Sequence, residues 1–168
     1  MLVWDRDLLY DLAAEFRRMI VSAIEEDLIK DVIFKRFPEG CCGDASDLLG
    51  QYLLEHDIQT WNVVGQYYYN YDSGFETHRD IQTHNWLTTE NPFEKKNYLI
   101  IDITGDQFYR QRMYGYFDIP VYVGRMDNFH GLFKFGEHDV YRFEGIDAYD
   151  YCARGKLWGL YKGIVGDE

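Results

Sequence analysis

The chain has 168 residues, of which 46% are apolar and 27% are charged. A length of this order favours a single domain over residues 1–168, built around one hydrophobic core. The 29 acidic and 17 basic residues give a net charge of −12. That charge argues against nucleic acid as a partner, because binding to a phosphate backbone needs a basic surface.

Targeting signals and cysteine usage suggest a compartment. Apolar runs such as 98–101 are far too short to cross a bilayer, so we expect no membrane association. The first residues show neither the basic nor the apolar segment of a secretory signal. The 3 cysteines, two of them adjacent, do not form a disulfide framework. We therefore expect a cytoplasmic protein with reduced thiols.

The order of helical and strand-like segments predicts the fold class. Apolar residues at three- and four-residue steps predict amphipathic helices over about 6–30 and 42–55, separated by a turn at 37–40. A third helix is predicted over 146–163, although two glycines weaken the pattern. Aromatic and β-branched residues predict strands between them, at 60–69, 81–89, 97–104 and 121–124. Helices segregated from strands favour an α+β fold with an antiparallel sheet.

Two adjacent cysteines, Cys41 and Cys42, stand at the start of the second predicted helix. The free amides and the dipole of a helix N-terminus favour an anion, so a thiol there has a lowered pKa and is a better nucleophile. The same amides can hold the oxyanion of a tetrahedral intermediate. A cysteine in this position is also often a small buried residue. The sequence does not decide with certainty between the two thiols.

A histidine and an aspartate lie on consecutive predicted strands. His84 is in the middle of one strand, and Asp102 follows an apolar run near the end of the next. The connection between these strands is short, so we expect them to be antiparallel neighbours with Asp102 close to His84. Together with a thiol they form the nucleophile, base and orienting group of covalent catalysis. Singly, the histidine can be a packing residue and the aspartate can cap a turn.

Other groups compete for the role of base or for a metal. His78 lies in a polar loop and is a rival general base for His84. Either histidine could join His56 and Cys42 in a zinc site, but no metal-binding spacing such as C-x-x-C or H-E-x-x-H occurs. The scattered glycines form no nucleotide-binding fingerprint. We therefore expect neither a metal nor a cofactor.

Three residues in the last third of the chain are expected to be structural. His130 and His138 lie among aromatic and acidic residues, so we expect them to pack or to face solvent. Cys152 falls on the last predicted helix beside aromatic and apolar residues, which indicates a buried structural thiol. None of the three is assigned a role in chemistry from the sequence.

Three segments together resemble the transglutaminase-like branch of the papain-like cysteine hydrolases. They are 40–49, 83–87 and 100–104, and the resemblance covers about residues 37–108. It implies a papain-like core, in which a nucleophile helix packs on an antiparallel sheet. It also implies a catalytic triad of Cys42, His84 and Asp102, with Cys41 at the variable position of the family's Gly-x-Cys pattern.

The resemblance implies thiol-dependent acyl chemistry on a protein, peptide or other amide or ester substrate. Hydrolysis, deamidation and acyl transfer all occur on this arrangement, so the reaction class stays open. A hypothesis of a different kind is a catalytically silent acidic protein on the same scaffold, of an immunity or adaptor type. Its net charge would then meet a basic protein partner.

Overall fold

In the computed structural model, which describes residues 4–72, 74, 77–108 and 117–166, three α-helices accompany a five-stranded sheet. The helices are α1 (Arg6–Glu25), α2 (Cys42–Leu54) and α3 (Tyr151–Val165). The strands are β1 (Trp61–Asp72), β2 (Thr77–Thr88), β3 (Ile100–Asp102), β4 (Tyr122–Gly124) and β5 (Val140–Arg142). Neighbouring strands are antiparallel in the order β4-β3-β2-β1-β5. The predicted α+β class and antiparallel sheet are confirmed.

The first helix ends at Glu25, earlier than the predicted residue 30. Asp27 adopts a left-handed φ of 56° just beyond the helix, and the Leu28 N–H bonds back to the Ala23 carbonyl at 2.9 Å. This is a Schellman-type C-cap, in which glycine usually occupies the left-handed position. Because an aspartate occupies it here, the sequence shows no glycine stop signal.

The C-terminal part of the chain also differs from the prediction. Residues Ile146–Ala148 form a short 3-10 turn, and Tyr149 is extended. The helix proper begins after Asp150, whose carboxylate accepts the Ala153 N–H at 3.0 Å as an N-cap. Strand β5 was not predicted, since three residues of edge strand are too few to set up a periodic pattern.

Strands β1 and β2 form a long hairpin in register from Trp61↔Thr88 to Asp72↔Thr77, so β2 begins before the predicted residue 81. Strand β3 has three residues rather than the predicted eight of 97–104. It pairs with the end of β2 through Leu87↔Ile101, which confirms that the two strands are antiparallel neighbours.

The two faces of the sheet are covered by different groups. Leu87 and Ile101 belong to the core shared with the helices. The alternate residues Trp86 and Ile100 belong to an aromatic cluster on the other face, as period-two alternation requires. The aromatic cluster consists of Val63, Trp86, Ile100, Phe108, Phe117, Phe129 and Phe133.

The described residues include no helix with the length and apolar character needed to span a bilayer.

Close packing in the aromatic cluster requires glycine at position 65. A Cβ added to Gly65 would lie 2.6 Å from the Phe133 Cβ and 2.8 Å from the Trp86 ring. We expect Gly65→Ala to reduce the free energy of unfolding by about 1–3 kcal/mol, the usual effect of overpacking a core. Urea denaturation followed by tryptophan fluorescence measures this change.

The control substitution is Gly159→Ala on the exposed side of α3, where an added Cβ has open space. It should raise the free energy of unfolding by up to about 1 kcal/mol, because alanine is the better helix former. Equal effects of the two substitutions would contradict the close packing described at Gly65.

Candidate active site

A tight turn places Cys42 at the first position of α2. Gly40 has a φ of +70°, which favours glycine, and Cys41 follows as the N-cap residue. The first intrahelical hydrogen bond runs from the Ala45 N–H to the Cys41 carbonyl at 2.8 Å. The amides of Cys42 and the next two residues precede that bond and have no carbonyl of their own helix to bind.

The thiol of Cys42 contacts His84 at an open stretch of the edge of β2. Besides the hydrogen bond to the His84 ring, Cys42 accepts the backbone N–H of Asn85. The Gln66 N–H bonds to Lys134, on the side of β1 away from β2. Because N–H directions alternate along a strand, the antiparallel pair Val64↔Asn85 also points its N–H groups outward. Asn85 therefore offers its amide to the thiol.

The carboxylate of Asp102 binds the Nε2 of the His84 ring. Its Oδ2 lies 2.7 Å from the His84 Nε2, and both side chains are almost completely buried. Its Oδ1 accepts the Thr104 N–H at 2.9 Å. Three elements, α2, β2 and β3, thus bring together all three residues that the sequence predicts as a site.

Neighbouring charges shift the pKa values of Cys42 and His84 in opposite directions. Burial on its own raises the pKa of the Cys42 thiol, but its hydrogen bond and charge interaction with His84 outweigh burial and lower it. Burial also opposes protonation of His84, but the charge of Asp102 and the bonds to Asp102 and Cys42 raise the pKa of His84. Both shifts favour a thiolate beside an imidazolium.

Cys41 lies in a different environment from its neighbour. Its thiol is 2% exposed and lies 3.3 Å from the Glu39 carbonyl and 3.4 Å from the Ile33 carbonyl. Burial, followed by the charge of Asp44, raises the pKa of Cys41 to about 11. A thiol that donates to carbonyls and is shielded from solvent stays protonated, so the geometry favours Cys42 as the reactive thiol.

Two further groups join this cluster, and sequence reasoning missed both. The Gln107 Nε2 lies 3.5 Å from the His84 Nδ1, and its Oε1 accepts the Gly40 N–H at 3.3 Å. His130 lies on the other side, with its Nε2 2.7 Å from the same Asp102 oxygen. Both lie in short 3-10 turns, which are too short to show a periodic pattern in the sequence. The one sequence feature that could have indicated His130 is the acidic Asp127 three residues before it.

The donor atoms of His84, Asp102 and His130 lie within 4.8 Å of one another. Two imidazoles and one carboxylate are the ligands of many metal sites. Both imidazole Nε2 atoms are 2.7 Å from one carboxylate oxygen, the length of a charge-assisted hydrogen bond. A cation would have to replace both of those N–H donors. The distances therefore fit a hydrogen-bonded network better than a metal centre.

The remaining sequence candidates lie away from this cluster or outside the description. The His56 Nδ1 lies 2.7 Å from the Tyr52 carbonyl, which is a local helix contact. The side chain of His78, the rival base, is not among those that the structure describes. Cys152 is exposed, so the expected buried thiol is wrong, because it lies in the first, solvent-facing turn of α3. His138 is exposed as well.

No family model, curated protein or solved structure gives a significant match to this chain. What the site does must therefore be inferred from its own contacts.

The three thiols differ in environment, which predicts selective alkylation. At about pH 6, iodoacetamide should modify Cys42 at least tenfold faster than Cys152, because the thiolate is the nucleophile and the interaction with His84 lowers the pKa of Cys42. Cys41 should remain unmodified, because it is buried and its pKa is raised. Peptide mass spectrometry with fragmentation between the two adjacent cysteines measures the three rates.

The matched variants are Cys42→Ala and Cys41→Ala. The first should abolish the fast reaction, and the second should leave most of it. Loss of the fast reaction in Cys41→Ala alone would move the nucleophile one residue toward the N-terminus. Labelling of Cys42 no faster than Cys152 would favour a silent binding protein.

Proposed function

We propose that this chain is a cysteine-dependent enzyme that performs acyl chemistry at an amide or ester. The observation that carries the proposal is that His84 is hydrogen bonded both to the Cys42 thiol and, through its Nε2, to the Asp102 carboxylate. A helix-borne cysteine, a strand histidine and an aspartate on the next strand also support membership of the transglutaminase-like branch of the papain-like fold, with the whole chain as one domain.

Acylation begins from the thiolate–imidazolium pair. The Cys42 Sγ attacks the substrate carbonyl carbon, and the carbonyl π bond moves its electron pair to oxygen. The resulting oxyanion accepts hydrogen bonds from amides at the N-terminus of α2, among them that of Cys42. His84 then gives its Nδ1 proton to the leaving amine or alcohol as the carbon–heteroatom bond breaks, which leaves a thioester on Cys42.

Deacylation needs a second nucleophile and no further group from the protein. Neutral His84 removes a proton from water or from an amine, and that nucleophile displaces the Cys42 thiolate from the acyl carbon. Water gives hydrolysis or deamidation, and an amine gives transfer. Asp102 keeps the Nε2–H of His84 bonded, so that the Nδ1 faces the reacting atoms in every step.

The acidic binding hypothesis rests on the net charge of −12, which suits a basic protein partner. It does not account for the burial of His84 and Asp102 at 0% and 2% exposure beside a thiol. Burying a carboxylate and an imidazole destabilises the fold, and a protein that only binds a partner through its surface does not require such buried groups. We therefore favour the enzyme.

A chromogenic ester tests the acylation step without knowledge of the natural substrate. With p-nitrophenyl acetate we expect a burst of p-nitrophenol equal in amount to the protein, and an acetyl group on the peptide that contains Cys42. A primary amine such as glycine methyl ester should speed the slow phase if the enzyme is a transferase, and leave it unchanged if it is a hydrolase.

The controls for this burst are Cys42→Ala and Cys152→Ala. The first should eliminate the burst and the second should retain it, since Cys152 is exposed. A burst that disappears only in Cys152→Ala would reveal acetylation of a surface thiol and contradict the proposal.

The acid side of the pH profile should depend on His84. Without the imidazole, burial stands largely unopposed and raises the pKa of Cys42. In His84→Gln the midpoint of burst rate against pH should therefore move upward, from below the ordinary value of a thiol to above it. Stopped-flow rates from about pH 5 to about pH 10 measure the shift. A midpoint that does not move would separate His84 from the activation of Cys42.

A further inference from the structure

A second histidine stands behind the proposed triad. The His130 side chain is completely buried, and its Nε2 lies 2.7 Å from the Oδ2 of Asp102, the oxygen that also bonds to His84. Its Nδ1 lies 2.7 Å from the Oδ1 of Asp127. His130 therefore connects a buried carboxylate to one that is 25% exposed.

The two short contacts define the charge of the His130 ring. A neutral imidazole has one donor and one acceptor nitrogen. If His130 were neutral, its unprotonated nitrogen would face a carboxylate oxygen with no hydrogen between them, and the two lone pairs would repel. Protonating Asp127 instead would cost free energy at neutral pH, because its Oδ1 also accepts the His130 backbone N–H at 2.8 Å. Both contacts are satisfied when His130 carries two N–H groups and a positive charge.

We propose that His130 is a permanently charged positioning residue, which Asp127 keeps protonated and which fixes Asp102 and offsets part of its negative charge toward Cys42. The inference rests on the proposed function of Cys42 and deepens it. His130 touches no reacting atom and acts through Asp102 alone. Its role is to keep a buried carboxylate from raising the pKa of the nearby thiol.

The charges around His130 set the sign of the expected effect. The groups that face it are Asp102 from β3, Asp127 from its own turn, His84 from β2 and Tyr122 from β4. The charge of Asp102 raises the pKa of Cys42, and a cation beside Asp102 counteracts that effect. Burial opposes protonation of His130, but the bonds to both carboxylates outweigh it and raise its pKa.

The test pairs ring spectroscopy with the alkylation profile of Cys42. In protein labelled with ¹⁵N-histidine, both His130 ring nitrogens should stay protonated from about pH 6 to about pH 8. In Asp127→Asn, His130 should titrate within that range. His130→Gln keeps a donor toward Asp102 but removes the charge, so the pH midpoint of Cys42 alkylation should rise by about one unit. His138→Gln, at an exposed histidine, should leave the midpoint unchanged.

The possible results distinguish failure of the His130 inference from failure of the proposed function. A neutral His130 ring in the unmodified protein overturns the inference, whatever Cys42 does. A reactive Cys42 whose midpoint is the same in His130→Gln overturns the tuning role and leaves the proposed function standing. An unreactive Cys42 overturns the proposed function and the tuning role, while the ring signals still report the charge of His130. If His130→Gln fails to fold, the upward shift must instead appear, at smaller size, in Asp127→Asn.

Discussion

The buried carboxylate of Asp102 is the group around which the candidate site is organised. Its side chain is about 1% exposed, and an ion removed from water to this degree costs several kcal/mol unless it is fully hydrogen bonded. The required donors come from three parts of the chain: His84 on β2, Thr104 just after β3 and His130 in the turn after β4. Satisfying one charge therefore fixes the relative positions of these segments.

The shortness of β3 gives the thiol access to the histidine. β3 ends at Asp102 and pairs with the last two residues of β2, so the edge of β2 at Asn85 is left for another group. The N-terminus of α2 occupies that edge, and the Asn85 amide bonds to Cys42. A longer β3 would take this amide into its own ladder. The nearby short helix that carries Gln107 is held to α1 by the ion pair Arg17–Asp106 at 2.8 Å.

The sequence was informative where local chemistry and chain order determine the structure. Apolar patterns located the three helices, aromatic and β-branched segments located four of the five strands, and a short connection gave the pairing that brings Asp102 to His84. It was uninformative where contacts are distant and irregular. His130 is 28 residues from Asp102 in sequence and lies in a short turn, which shows no periodic pattern. The end of α1 depends on Asp27 in the left-handed conformation that glycine usually adopts. Cys152 was misplaced because it lies in the first turn of α3, where Tyr151 is exposed as well, whereas Leu157, about one and a half turns later, faces the core.

The two adjacent thiols separate the effect of the helix terminus from that of the histidine. Both cysteines stand at the same N-terminus of α2, so both lie at the positive end of the same helix dipole. Their pKa values nevertheless move in opposite directions, up for Cys41 and down for Cys42. The dipole, which was the reason to suspect a reactive thiol from sequence, cannot account for this difference. The hydrogen bond and charge of His84 can, because side chains one residue apart on a helix point about 100° apart and only one reaches the ring.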